Sequence, residues 1–225
     1  MNEPFKLTLE IFGAIALKYP LTLDGLLSAA VQRMNGKTGA DTIPDIPLER
    51  EDGIFHGSAL YHTRRYRHST VCRKLGLRGE EEMSPKNFKP FSGKGSGKYY
   101  GSLDLRRGPH QIRLDSYAAI ETPEVWFWGR GDAERCAEMI RCYILGLGKR
   151  ANGGAGQILS VRVDACEDNS WVLASGFPAR PIPVDLWEKI GGRQDAPVDY
   201  CRVDIPYPTG NPVRAVFPPR TVFSV

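Results

Sequence analysis

The residues best suited to chemistry fall in two clusters, and both suit an anion. Gly146-Leu147-Gly148 and Gly154-Ala155-Gly156 are separated by five residues that include Lys149 and Arg150. Glycines admit positive φ and let a ligand approach the backbone, and the amides of such a turn, with two cations beside them, favour phosphate. The plainer alternative is that these glycines end a helix and turn the chain into a strand. The second cluster runs from His62 to Arg78 and holds Arg64, Arg65, Arg67, Arg73, Lys74 and Arg78 with no acid, interleaved with Tyr66 and preceded by Tyr61. Guanidinium forks grip phosphates and aromatic rings stack on splayed bases, so this composition suits a single-stranded nucleic-acid groove. A surface helix with a solvated basic face is its bland counterpart.

His56, His62 and His68 add imidazole, the side chain suited to general acid–base cleavage of RNA, although a histidine among arginines more often contacts a phosphate or sugar. The spacing of His62, His68 and Cys72 matches no zinc pattern. Two phosphate motifs also fail. Gly146-x-Gly148-x-x-Ala151 fits the dinucleotide fingerprint only superficially, because it follows a helix and opens a strand, the reverse of the required context. Gly93 to Tyr99 is one residue short of a P-loop and has Tyr99 where a magnesium-binding hydroxyl belongs. Neither nucleotide hydrolysis nor a cofactor is expected.

The elements that must position these clusters are legible from periodicity. Phe5, Leu7, Leu9 and Ile11 alternate with Lys6, Thr8 and Glu10, the pattern of a half-buried strand. Leu23, Leu26, Leu27, Ala30, Val31 and Met34 recur at helical spacing, with Gly36 as a stop. Residues 41–51 are Pro-broken and polar, and Ile54 to Tyr61 reads as a short strand leading into the basic segment. Gly79 to Lys98 reads as an exposed loop, and Tyr99 to Arg106 with Gln111 to Tyr117 as a hairpin presenting Arg106, Arg107, His110 and Arg113. Glu124 to Gly129 is an apolar aromatic strand in which Trp126, Phe127 and Trp128 read as core. Asp132 is placed to cap a helix whose apolar stripe runs from Ala133 to Leu147, and Ile158 to Val163 alternates as a strand.

Strand, helix, strand, then strand, helix, strand is the β-α-β-β-α-β order of an α+β, ferredoxin-like (RRM-like) fold. The expected organisation is a core over residues 1–165, with a basic insertion at about 62–118 between its halves, and a Pro-rich β extension over 166–225 packed on it. The last 48 residues hold 9 of the 17 prolines, so edge strands and turns are expected there rather than helices, with a hairpin near Pro208 to Asn211.

Charge separates along the same lines. The net charge is only +4, but Leu60 to Leu114 carries 13 Lys and Arg against 4 Asp and Glu, leaving 17 against 22 elsewhere. Concentrated positive charge is what a polyanion partner requires, through phosphate neutralisation and counterion release. The five cysteines are scattered with no C-x-x-C pair, which argues against a disulfide framework. No apolar run approaches the roughly 20 residues of a membrane span and no secretory pattern opens the chain, so a cytoplasmic protein without a membrane partner is expected.

With its helix, G-h-G-x5-G-h-G loop and strand, the chain resembles the RAMP superfamily of CRISPR-associated RNA-binding proteins; the motif here is GLGKRANGGAG, complete at all four glycines. The opening strand, the PLTLDGLLSAAV helix, the IPDIPLER loop and the HGSALYHTRR segment together resemble the small RAMP subunit of type IV CRISPR effector complexes. The resemblance spans roughly residues 1 to 160. It implies a non-catalytic RNA-binding subunit in antiviral defence, capping a ribonucleoprotein at the crRNA 5′ handle while the guide reads target DNA by pairing. It further implies contact between the RNA backbone and the loop residues Gly146, Gly148, Lys149, Arg150, Gly154 and Gly156. Arg64, Arg65, Arg67, His68, Arg73, Lys74, Arg106 and Arg107 would grip the handle or flanking duplex. The implied neighbours are a RAMP backbone subunit, a large subunit and an accessory helicase. The alternative is a RAMP endoribonuclease that processes CRISPR precursor RNA with His56, His62 or His68 as general acid or base; a domain that binds only other proteins is a third reading.

Overall fold

The computed structural model describes residues 3–75 and 113–219. The chain divides into two compact units, Met1–Ser69 with Ala118–Val225, and Thr70–Tyr117. The first strand, β1 (Glu3–Phe12), follows its alternation: Phe5, Leu7, Leu9 and Ile11 are buried. After the two-residue β2 (Ala14–Ile15), α1 (Leu23–Asn35) starts at Thr22, whose hydroxyl accepts from the Gly25 amide, and stops at Gly36, held at φ +76°. Both are ordinary capping chemistry, a side-chain oxygen at the N-terminus and a left-handed glycine at the C-terminus.

The Pro-broken segment forms a 3-10 turn over Gly39–Asp45. Short strands β3 (Arg50–Glu51), β4 (Ile54–Phe55) and β5 (Tyr61–His62) follow, then β6 (Arg67–Leu75). The second half of the chain opens with β7 (Arg113–Glu121) and β8 (Glu124–Gly131), continues through α2 (Ala133–Tyr143) and reaches β9 (Gln157–Ala165). The basic cluster therefore begins in strand and turn, so the surface-helix reading of it is wrong over the described residues. Asp132 caps α2 as anticipated, accepting from the Arg135 amide at 2.9 Å. The helix ends four residues before the apolar stripe does. Ile144 is already extended, and Gly146 leaves to bridge Gln157 on β9, which exposes Leu145 while Leu147 stays buried.

The main sheet has the order β5-β8-β1-β9 with every neighbouring pair antiparallel. Helices α1 and α2 pack on each other and on one face of it, α2 over β1 and β9, α1 over β8. Their apolar stripes and the inward residues of the strands make one core that includes Leu7, Leu27, Phe127 and Ile140. The molecule is thus mixed α and β with antiparallel sheets.

Beyond β9, strands β10 (Ile182–Pro183), β11 (Val198–Cys201) and β12 (Val213–Val216) form a small sheet in the order β10-β12-β11, over a second core of Trp171, Ile182, Leu186, Trp187 and Val216. A short helix, α3 (Val184–Lys189), interrupts what was expected to be strand and turn only. Pro183 stands just before it, where a missing amide is harmless to a helix. This region is joined to the main core by Arg180, which is fully buried. Its Nη1 donates to the Phe55 and Gly57 carbonyls at 2.6 and 3.1 Å, and its Nη2 to the Val203 carbonyl and the Tyr207 hydroxyl at 2.8 and 2.9 Å. Asp24 of α1, also fully buried, supplies the counter-charge at 3.1 Å and accepts from Tyr207 at 2.7 Å. A buried guanidinium survives only when paired and hydrogen-bonded in this way.

Candidate nucleic-acid interface

The glycine-rich loop connects α2 to β9, as its sequence position requires. Gly148, Gly154, Gly156 and Arg150 all have positive φ, at +81°, +88°, +58° and +68°. A side chain at Gly148 would place its Cβ 2.5 Å from the Ala16 carbonyl oxygen, one at Gly156 would lie 2.5 Å from that of Leu147, and one at Gly146 2.9 Å from that of Gly156. These three glycines allow backbone to approach backbone. Gly154 has open space where its Cβ would be. The amides of Leu147, Lys149, Gly153, Gly154 and Ala155 donate to carbonyls within the loop or to Ala16, at 2.7 to 3.2 Å, and so are not free to cradle an anion. What the loop offers a ligand is the exposed side chains of Lys149 and Arg150.

The basic cluster turns sharply after β5. His62 Nδ1 donates to the Thr63 carbonyl at 2.8 Å, and the Thr63 hydroxyl donates to the Arg65 carbonyl at 3.0 Å. Tyr66 stands between two imidazoles, 4.8 Å from His62 and 5.5 Å from His68, edge-on to both. Arg67 pairs with Glu121 at 2.8 Å, and the Ser69 hydroxyl donates to the same carboxylate at 2.9 Å. Arg64 and Arg65 are exposed and make no ion pair among the described residues.

Arg65, Tyr66 and Arg67 form one wall of an open groove of about 590 Å³ whose other described residues are Ile11 and Phe12 at the end of β1, Gly13 after them, Glu121 at the end of β7, and Thr122 and Pro123 between β7 and β8. Gly13, at φ +84°, also abuts the glycine-rich loop, since a Cβ there would lie 3.6 Å from the Gly154 carbonyl oxygen and 3.7 Å from the Gly156 nitrogen. The two clusters separated by some eighty residues of sequence are thus placed on either side of one tight turn. Arg73 and Lys74 are exposed on the part of β6 that belongs to the second unit. Arg78, Arg106, Arg107 and His110 lie outside the described residues, as do the Gly79 to Lys98 loop and most of the expected hairpin.

His56 is elsewhere, and its surroundings remove it from the candidates for RNA chemistry. It is 4% exposed and stacked on Trp171 at 4.3 Å with the rings parallel to within 1°. Ser170 donates its hydroxyl proton to Asp168 at 2.6 Å, so its oxygen accepts from His56 Nδ1 at 3.1 Å. Nε2 lies 3.2 Å from both Arg130 Nη2, which can only donate to it, and the Glu51 carboxylate, which can only accept from it. Burial and the adjacent Arg130 guanidinium hold the imidazole pKa below its usual value, so it is neutral at physiological pH. Burial pushes the Asp168 carboxyl up, but the hydrogen bonds from the Ser170 hydroxyl and amide, with Arg130 nearby, outweigh it and keep the group ionised.

Phe127 is core, but Trp126 and Trp128, expected with it, are half-buried on the opposite face of the sheet. There they lie edge-on to each other at 6.1 Å, with Tyr61 beside Trp128 at 4.9 Å and Lys6 over Trp126 at 4.6 Å. Period-2 alternation puts residues 126 and 128 on the face away from Phe127. Sequence reasoning missed Phe12 and Gly13. The signal was available: Phe12 follows Lys6, Thr8 and Glu10 on the polar parity of β1, an aromatic where the strand otherwise presents polar groups.

No family model matches the chain, and no curated protein matches it. Among the described residues no helix is long and apolar enough to cross a membrane.

Proposed function

We propose that this protein is a non-catalytic RNA-binding subunit of a type IV CRISPR ribonucleoprotein effector, built on a ferredoxin-like core and seated at the crRNA 5′ handle. The observation that carries the reading is the groove in which Arg65, Tyr66 and Arg67 meet the end of β1 and Gly13, with the backbone of the glycine-rich loop at Gly154 and Gly156 against Gly13. Cations for phosphates beside exposed rings for bases are the physical requirements of single-stranded RNA binding. The sheet order β5-β8-β1-β9, antiparallel throughout and covered on one face by two helices, supports the ferredoxin-like assignment. In this reading target DNA is met through the assembled complex in the cytoplasm, beside a RAMP backbone subunit and a large subunit, with an accessory helicase acting on the assembly.

The grouping of His62, Tyr66 and His68 beside Arg67 favours one second reading, a metal-independent endoribonuclease that matures the precursor RNA. One experiment separates the two. Purified protein is incubated with end-labelled repeat RNA or a scrambled control, with and without EDTA, and resolved on native and denaturing gels. The binding subunit shifts the repeat RNA and leaves it full length. A single EDTA-resistant cut, lost on His62→Ala or His68→Ala, makes the protein the processing enzyme instead, and no shift at low salt overturns both.

A further inference from the structure

We infer that the groove is a slot for one unstacked nucleotide, its base lying against Phe12 and Tyr66 and its phosphate on Arg65, an inference that rests on the RNA-binding reading above. Single exposed hydrophobic side chains are common on soluble proteins and need no ligand to explain them. Here Phe12 is 64% and Tyr66 40% exposed, and both line one cleft together with two guanidinium groups. Its volume of about 590 Å³ falls within the roughly 300–1,000 Å³ of clefts that take small organic groups.

The electrostatics of the groove suit a phosphodiester. Among its described lining residues the one carboxylate, Glu121, is paired with Arg67 at 2.8 Å and accepts from the Ser69 hydroxyl at 2.9 Å, and Arg65 contributes a cation with no ion-pair partner among the described residues. Its shape suits a base that has left the stack. The Tyr66 ring keeps contact with His62 and His68 at its edges while remaining exposed, so it stands at the groove and is open to a base. A duplex keeps both faces of each base covered, and therefore has nothing to offer these rings.

The test compares two probes of equal charge on the full chain by fluorescence anisotropy: a labelled 12-nucleotide oligoadenylate, and a labelled 12-unit abasic ribose-phosphate strand. The protein is expected to bind the oligoadenylate about 5- to 150-fold more tightly, the range for stacking one base. Phe12→Ala with Tyr66→Ala abolishes that preference while leaving affinity for the abasic strand and its salt slope unchanged. Phe12→Tyr with Tyr66→Phe, which keeps both rings, retains it. Binding of both probes with the preference intact in the alanine variant overturns the slot and leaves the RNA-binding reading standing. Failure of the unsubstituted protein to bind either probe at low salt overturns that reading and the slot with it. Displacement of the oligoadenylate by a 12-residue poly-glutamate peptide at similar concentration overturns the nucleotide assignment in favour of an acidic protein segment.

Discussion

Replacing the loop glycines one at a time by alanine separates the architectural role of this loop from its role toward a ligand. Gly148 and Gly154 have nearly the same backbone angle, φ +81° and +88°, so an L side chain costs about 1–2 kcal/mol at either from conformation alone. Their surroundings differ. At Gly154 the new methyl meets nothing within 4 Å, whereas at Gly148 it would sit 2.5 Å from the Ala16 carbonyl oxygen, which is held by the Lys149 amide at 2.8 Å. Backbone must move to admit it, and forced displacement in a packed site adds about 1–3 kcal/mol. Gly148→Ala is therefore expected to cost about 2–5 kcal/mol and Gly154→Ala about 1–2 kcal/mol, with Gly156→Ala close to Gly148→Ala because its methyl meets the Leu147 carbonyl. For a domain of this size each kcal/mol moves Tm by roughly 2–4 °C, so differential scanning calorimetry resolves the order. Equal losses at Gly148 and Gly154, or a greater loss at Gly154, would refute the close-approach argument. The same variants sort the ligand effect, since Gly154→Ala leaves a folded loop in which any change of RNA affinity reports on the loop rather than on loss of the fold.

Three further outcomes are expected. Lys149→Ala with Arg150→Ala weakens RNA binding and flattens its salt dependence by about 0.7 in the log–log slope for each phosphate contact removed, measured by anisotropy from 50 to 300 mM salt; an unchanged slope excludes the loop from the interface. Arg180→Met leaves Asp24 buried without its counter-charge and is expected to cost about 3–5 kcal/mol in urea denaturation, only part of it recovered by adding Asp24→Asn because the Phe55, Gly57 and Val203 carbonyls stay without their donor; a loss below about 1 kcal/mol would refute the role of the buried pair. Because the His56 pKa in the folded chain lies below its unfolded value near 6.5, the unfolded state binds the extra proton as pH falls, and stability present above that pH declines on acidification through the folded pKa. His56→Asn, which keeps a donor toward Ser170 and cannot titrate, is expected to lose its share of the decline in urea midpoint between pH 7.5 and 5; an unchanged profile would locate the acid sensitivity in other groups.

The sequence alone determined most of the elements, because each is specified by neighbours a few residues away. The alternation from Phe5 to Ile11, the caps at Thr22, Gly36 and Asp132, and the apolar stripe of α2 are local signals, and the strands and helices formed where they pointed. The chemistry of the two basic clusters was equally legible as composition. Tertiary structure decided which of those residues share a site. Phe12 and Gly13 carry no signal of their own beyond one aromatic on the wrong parity, yet pairing of β1 with β8 and β9 sets their turn between the arginines after β5 and the loop before β9. His56 looked like His62 and His68 in the sequence, and only the packing of Trp171 and Ser170, more than a hundred residues away, makes it a neutral, buried strut. Arg180 lies among prolines with no local signal, and its role comes only from the fold closing Phe55, Val203, Tyr207 and Asp24 around it. Hydrogen bonds within a turn of helix are set by residue type and spacing, whereas burial and charge pairing are set by what the rest of the chain brings alongside. A groove assembled from three distant turns is of the second kind.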